Sequence, residues 1–412
     1  IELPTPLVPR AMRYGITERI SATGDVLLPL DERQVRLCVP NLVEAGVRSI
    51  AVGFLHSYRN SLHEERVREI LLEEASNMEV TLSSEVSPEM REFERISTAC
   101  ANAYVQPLMS NHLRSLDKLL REDGFNCPLF LMLSGGGITT LETAVRFPVR
   151  LVESGPAGGA IFSSYIANLL GLSKVLSYDM GGTTAKICLI DEGQPQTSRS
   201  FEVAREYRFL KGSGIPLKIP VIEMVEIGAG GGSIAHVPEL TNALRVGPDS
   251  AGAQPGPPAY GKGGEAPTVT DANLVLGRLP ASAKLGGAMP LDINAARSAV
   301  GALAQQLHLS IEEAAAGIIA IANEHMIRAL RVISVQRGYD PAEFSLCCFG
   351  GAGGLHVCAL AEALGCSEII VPNYGGVFSA LGMLLAPKER QLSRTLNTKP
   401  CLLYTSDPAV SL

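Results

Sequence analysis

No Arg/Lys run or basic stripe occurs in the 412 residues, and the formal net charge is −7. Nucleic acid and anionic membrane surfaces are therefore not expected partners. The longest apolar runs are broken by glycine or charge, and no secretory leader is recognisable, so no membrane span is predicted. The nine cysteines are odd in number, contain no C-x-x-C pair and mostly sit inside apolar runs. That argues against a disulfide scaffold or a zinc knuckle and for reduced thiols in a cytoplasmic protein. The seven histidines show neither H-x-x-x-H nor H-E-x-x-H, which disfavours a metal site built from this chain alone. The absence of G-x-S-x-G and of a papain-like cysteine context disfavours serine or cysteine hydrolysis. No tandem repeat occurs at solenoid periods. What remains, with 46% hydrophobic and 19% charged residues, is a globular chain long enough for two or three domains.

The segment Val175–Ile190 organises the rest. An apolar strand is followed by Asp179-Met180-Gly181-Gly182-Thr183-Thr184, then by a second apolar strand from Ala185. The pattern predicts a tight strand-turn-strand. Glycines let backbone N–H groups approach an anion, and threonines add hydroxyl donors. Asp179 stands where a carboxylate can hold a metal-bound water, so the turn has the makings of a phosphate and Mg²⁺ site. The alternative is a β-turn with a satisfied aspartate.

Before this segment the sequence predicts α/β structure with parallel strands. Asp31 caps a helix to Ala45, Ser49–Leu55 is a buried strand, 62–75 is helical and Glu79–Leu82 is a strand. A helical stretch from Met90 to Glu122, kinked or split at Pro107, leads to strand Leu129–Leu133 and the loop Ser134–Gly137. A glycine loop after a parallel strand belongs at the carboxyl edge of a sheet, where ligands bind. Beyond Glu153 a small-residue helix runs to Leu170. A third strand near Thr197–Ala204 makes a meander with the central pair, and Val221–Ile227 ends in Gly228–Ser233. Residues 246–290, rich in Gly, Pro and Ala, form a long functional loop in which Thr268–Asn273 starts a helix. Asp292 caps one helix, and the capping box Ser310–Glu313 opens a long one. Strand Phe344–Phe349 ends in Gly350–Gly354, followed by helix Leu355–Ala363, strand Glu368–Val371 and helix Gly376–Leu385.

The order of these glycine-rich elements resembles the second half of the actin, heat-shock chaperone and sugar kinase ATPase superfamily. The fold class it implies is α/β, with two ribonuclease-H-like lobes. A closer resemblance is to the A subunit of ATP-dependent hydantoinases, 5-oxoprolinases and acetone carboxylases, over about residues 5–395. It is carried by Phe54–Tyr58, Asn102–Pro107, Ser154–Ala157, Asp179–Thr183, Gly228–Ile234, Gly247–Gly252, Thr268–Asn273 and Phe349–Gly353. Many relatives carry an acid at the Lys186 position. The family opens with its own D-x-G-G-T turn, and nothing before Glu18 fits it. The first lobe is therefore expected to be incomplete and the chain a fragment. The expected division is 1–153 for the first lobe, 154–396 for the second and 397–412 for an unstructured or non-native tail.

The resemblance implies ATP and Mg²⁺ as cofactors, a hydantoinase B-type partner subunit and a small cyclic amide such as a hydantoin or 5-oxoproline. ATP would phosphorylate the amide carbonyl so that the ring can be opened. Asp179 would be catalytic and hold the metal. Gly181, Gly182, Thr183, Thr184 and Lys186 would bind phosphate, and Gly350, Gly351 and Gly353 would pass under the adenosine. Asp271 is either a second catalytic acid or a helix cap. Glu153 is a further acid of the same kind. His356 opens the helix after the glycine loop, where it either faces ligand or, as the simpler reading, lies at the surface. Two rival readings are an acetone-type carboxylase subunit that activates a ketone and a non-catalytic actin-like ATPase switch.

Overall fold

The computed structural model describes residues 4–207, 210–390 and 395. The tail expected at 397–412 lies outside the described residues. The chain divides into two compact units. The first draws on the described residues of 1–152, 198–221 and 387–412, and the second on 153–197 and 222–386. A continuous second lobe over 154–396 is thus replaced by one that the chain leaves at 198 and re-enters at 222.

In the first unit, α1 (Glu32–Glu44) starts where the Asp31 carboxylate accepts the Gln34 N–H. Its buried stripe of Val35, Val39 and Leu42 packs with Val67, Ile70 and Leu71 of α2 (Leu62–Glu74). Strands β1 (Ser49–Val52) and β2 (Glu79–Leu82) pair in parallel. Helix α3 (Glu92–Glu122) runs unbroken through Pro107. The expected third parallel strand is instead β3 (Phe130–Met132), which pairs antiparallel with β4 (Ile138–Thr140). Ser134–Gly137 is therefore a hairpin turn, closed by Leu133 N–H to Gly137 O, and not a ligand loop at a sheet edge. Beyond β1, the fully buried Glu64 accepts from Phe54 N–H and from the backbone and hydroxyl of Ser84. The equally buried Arg95 donates to Phe54 O and Ser83 Oγ. This pins the Phe54–Tyr58 segment to the start of α3.

The second unit is built on one sheet. Along its main path run β5 (Lys174–Met180), β6 (Ala185–Asp191), β7 (Met224–Ile227), β8 (Ser345–Phe349) and β9 (Ile369–Ile370), in the order β7-β6-β5-β8-β9, and the short strand Gln194–Pro195 pairs with the end of β6 as a sixth. β5 and β6 are antiparallel, β6 and β7 antiparallel, and β5, β8 and β9 mutually parallel. The third strand of the meander is thus β7. The segment expected there, Phe201–Val203, pairs with Ile215–Leu217 in the first unit.

Alternation along β5 sorts its side chains onto two helical layers. Leu176, Tyr178 and Met180 join a core with Val300 and Leu303 of α6 (Ile293–Leu307) and Ile318, Met326 and Leu330 of α7 (Ile311–Ile333). Leu360 of α8 (Val357–Leu364) closes that layer. Val175 faces the other way, in a cluster with Ala167 of α4 (Ser154–Leu170) and Phe378 of α9 (Phe378–Leu385). The two small-residue helices pack with backbone nearly in contact: a Cβ at Gly382 would overlap the Gly158 carbonyl oxygen.

Candidate nucleotide site at the carboxyl edge of the second sheet

β5 and β8 run side by side, with Phe349 in register with Asp179, so the segments that follow them leave the same edge of the sheet. Gly181 N–H bonds Thr184 O and closes the predicted turn. Gly228–Ser233 lies across that turn: Gly231 N–H bonds Gly181 O (3.1 Å) and Gly232 N–H bonds Gly182 O (2.6 Å). Behind it, Thr270 donates its backbone N–H (2.7 Å) and its hydroxyl (2.8 Å) to Gly231 O. From the other side, Ala352 N–H bonds Met180 O (2.9 Å), which seats the Gly350–Gly354 loop. Gly181, Gly182, Thr183, Thr184, Gly350, Gly351 and Gly353 are thus brought together by the sheet edge. Gly182 and Thr183 are exposed, as a ligand-facing turn requires.

Asp179, Lys186 and Glu226 form one row of cross-strand partners over β5, β6 and β7. Lys186 Nζ lies 2.9 Å from Glu226 Oε1 and donates to Thr184 Oγ1 at 2.7 Å. In this structure the Lys186 ammonium is thus paired with one carboxylate and one hydroxyl. Burial raises the half-buried Asp179 carboxyl above the ordinary aspartate value, and Lys186 opposes that rise. Glu153 stands immediately before α4 in left-handed backbone (φ 59°) with no capping bond. Its carboxyl is raised by burial and then by Glu226, with Lys186 again opposing. Lys186 thus acts on three carboxylates. Sequence reasoning missed Glu226. The run Val221–Ile227 carries two acids, Glu223 and Glu226, and register alone connects the second of them to Lys186.

Asp271 is fully buried and occupied. Its carboxylate accepts from Ala259 N–H (2.8 Å), Thr268 N–H (2.8 Å) and Thr268 Oγ1 (2.6 Å). With Thr268 it makes a reciprocal capping box at the start of α5 (Val269–Val275). Of the two readings held for it, these bonds match the cap. His356 is not at the surface: it is 1% exposed. Its Nδ1 lies 2.7 Å from Asn323 Oδ1 and its Nε2 3.4 Å from Asn273 Nδ2. Burial, aided by Arg278, lowers its pKa to about 4, so the ring is neutral at ordinary pH. The described residues hold no group of three or more His, Cys, Asp or Glu side chains able to bind a metal, and no helix long and apolar enough to cross a membrane.

The hydantoinase/oxoprolinase family model matches residues 95–391, and the model of that family's N-terminal region matches residues 1–75. The chain belongs to the hydantoinase/oxoprolinase family. An uncharacterized protein of Methanocaldococcus jannaschii is 46% identical over 388 residues, covering 93% of this chain and 57% of the relative. The caprolactamase subunit alpha of Pseudomonas jessenii is 38% identical over 381 residues, covering 92% of this chain and 53% of its own. Among solved structures, nucleotide-free acetone carboxylase, an enzyme of ATP-dependent acetone carboxylation, superposes with a TM-score of 0.80 at 32% identity. It covers 93% of this chain and 53% of its own. The chain therefore spans about half the length of the hydantoinase/oxoprolinase relatives it matches.

Proposed function

We propose that the second unit is the nucleotide-binding half of an ATP-dependent enzyme that activates a carbonyl group, with a cyclic amide as substrate. The observation that carries this reading is the convergence of the Asp179–Thr184 turn with the Gly228–Ser233 and Gly350–Gly354 loops at one sheet edge. Exposed backbone N–H groups beside a half-buried carboxylate suit a phosphate chain. The strand order β7-β6-β5-β8-β9, with only β6 antiparallel to its central neighbour β5, supports a ribonuclease-H-like lobe of the actin-type ATPases. Family membership and the similarity to caprolactamase support the cyclic amide.

Amide carbonyls are poor electrophiles. Transfer of the γ-phosphoryl group to the carbonyl oxygen, with ADP leaving, gives a carbon that water can attack. The C–N bond then breaks and phosphate departs. The chain's part is positioning and charge neutralisation. Gly181, Gly182, Thr183 and Thr184 hold phosphate oxygens, and Gly350, Gly351 and Gly353 support the nucleoside. Asp179 is the reactive-centre carboxylate, with Glu153 beside the same row. Lys186 exchanges Glu226 for phosphate when nucleotide binds. Asp271 braces the Thr268–Thr270 segment. Mg²⁺ is commonly held by one or two carboxylates plus substrate phosphates, and Asp179 fits that use. The ion would neutralise phosphate charge. A B-type partner subunit would complete hydrolysis.

A carboxylase acting on a ketone is the second reading, favoured by the fit to acetone carboxylase. Mg²⁺-ATP should raise the melting temperature of this chain, and Asp179→Asn should abolish the rise. No rise in the wild type would count against nucleotide binding. ATP turnover on a lactam with and without bicarbonate separates the two chemistries: a bicarbonate requirement would sink the hydrolase.

A further inference from the structure

Hydrogen bonds and the short backbone stretches between them form a closed ring around the candidate site. Starting at Met180 and Gly181, Gly181 O accepts from Gly231 N–H, and Gly231 O accepts from Thr270. Thr270 and Asn273 share helix α5. Asn273 Nδ2, also bonded to Val269 O, reaches His356 Nε2. His356 N–H bonds Gly353 O, Leu355 N–H bonds Ala352 O, and Ala352 N–H returns to Met180 O. One side-chain pair, Asn273 with His356, closes the circuit, and at 3.4 Å it is the longest hydrogen bond of the ring.

The hydrogen-bond partners assign the tautomer of the pair. Asn323 Oδ1 can only accept, so His356 carries its proton on Nδ1 and presents a bare Nε2 lone pair to Asn273. A charged ring would have no acceptor at Nε2, because Asn273 offers an N–H there. Asn273 and His356 are each 1% exposed, so neither exchanges this partner for water. The Asn273 carbonyl oxygen is itself buried without a partner. The amide is thus held in an orientation that serves His356 and Val269 and leaves its oxygen unsatisfied. A buried orphan acceptor costs stability, and here it accompanies a bond that ties two ligand loops together.

We propose that His356 is a positioning residue. Through Asn273 it couples the Gly350–Gly354 loop to the Gly228–Ser233 loop, and so to the Asp179–Thr184 turn, as one unit. Its relevance to nucleotide rests on the function proposed above, but the coupling itself does not. Two substitutions divide the ring's bonds. His356→Asn retains a donor near Nδ1 for Asn323 and removes the Nε2 link. His356→Gln retains an acceptor near Nε2 for Asn273.

The test is residue-resolved amide exchange on the full chain without ligand, followed by Mg²⁺-ATP titration. In His356→Asn, exchange at Gly231, Gly232 and Thr270, across the ring from the substitution, should rise about two- to tenfold, the range one hydrogen bond commands. In His356→Gln these amides should stay near wild type. Acceleration confined to residues 353–358, or equal in the two variants, overturns the proposal, because a merely space-filling histidine predicts either result. Apparent ATP affinity should weaken by a similar factor in His356→Asn alone. If the wild type binds no ATP, the nucleotide reading fails, while the exchange comparison still decides the coupling.

Discussion

Gly350 backs directly onto Asp179. A Cβ built on Gly350 would lie 2.5 Å from Asp179 Oδ1 and would also strike the Met180 carbonyl. The backbone there is left-handed, with φ +84°. Two independent constraints therefore demand glycine: the conformation, and the space taken by the carboxylate on which the proposed chemistry depends.

Gly350→Ala should lose about 2–4 kcal/mol of stability from strain and overlap together. Gly351→Ala, with nothing near its Cβ and no left-handed φ, should stay within about 0.5 kcal/mol. Urea denaturation of the pair checks this, and equal losses would refute the clash.

Asp271→Asn should behave as a broken cap. An amide nitrogen would face N–H donors from Thr268 or Ala259, costing about 1–3 kcal/mol. The melting temperature should fall while Mg²⁺-ATP still stabilises the variant, in contrast to Asp179→Asn. Loss of the ATP response with an unchanged melting temperature would restore Asp271 to catalysis.

The contact of α4 with α9 tolerates no side chain at Gly382. Gly382→Ala should cost about 3 kcal/mol or more, because backbone and not a flexible side chain stands in the way. Gly155→Ala, on the same α4 with open space at its Cβ, should be neutral or slightly stabilising. Thermal melts of both proteins distinguish close packing from general glycine preference.

His356 makes stability depend on pH. Its folded-state pKa, about 4, lies below the ordinary 6.5. As pH falls, the unfolded chain takes up the proton first. The contribution of the neutral ring is thus fully present above about pH 6.5 and declines towards pH 4. The gap between the two values corresponds to about 3 kcal/mol at most. Burial raises the Asp179, Asp271 and Glu153 carboxyls, which act with the opposite sign, so wild type must be compared with His356→Gln. Between about pH 7 and pH 4.5 the wild type should lose about 2–3 kcal/mol more than the variant. Parallel pH profiles would show that the ring does not resist protonation.

What could be read directly in the amino-acid order depends on neighbours a few residues apart. Asp31, Asp292 and Ser310 cap helices where expected, because each side chain bonds an N–H two or three residues on. The Asp179–Thr184 turn is equally local, since two apolar strands and a glycine pair suffice to define it. The same sequence left Asp271 open between cap and acid. Telling them apart needed the Ala259 N–H, which arrives from twelve residues away in a segment without periodicity.

Long-range pairing was decided by the tertiary structure alone. Phe130–Met132 reads as a buried parallel strand, but its partner is the adjacent Ile138–Thr140. The third strand of the central meander is Met224–Ile227, reached only after an excursion through the first unit. Strand register, not spacing along the chain, sets Glu226 against Lys186 and Lys186 against Asp179. Burial of His356 follows from α5 and α7 meeting above the glycine loop, an event that no local pattern encodes. The sequence determined by itself which segments are strands, turns and capped helices, because those choices rest on backbone conformation and short-range hydrogen bonds. Only the fold decided which strands neighbour one another, which charges share a row and which histidine loses water, because those depend on packing between distant segments.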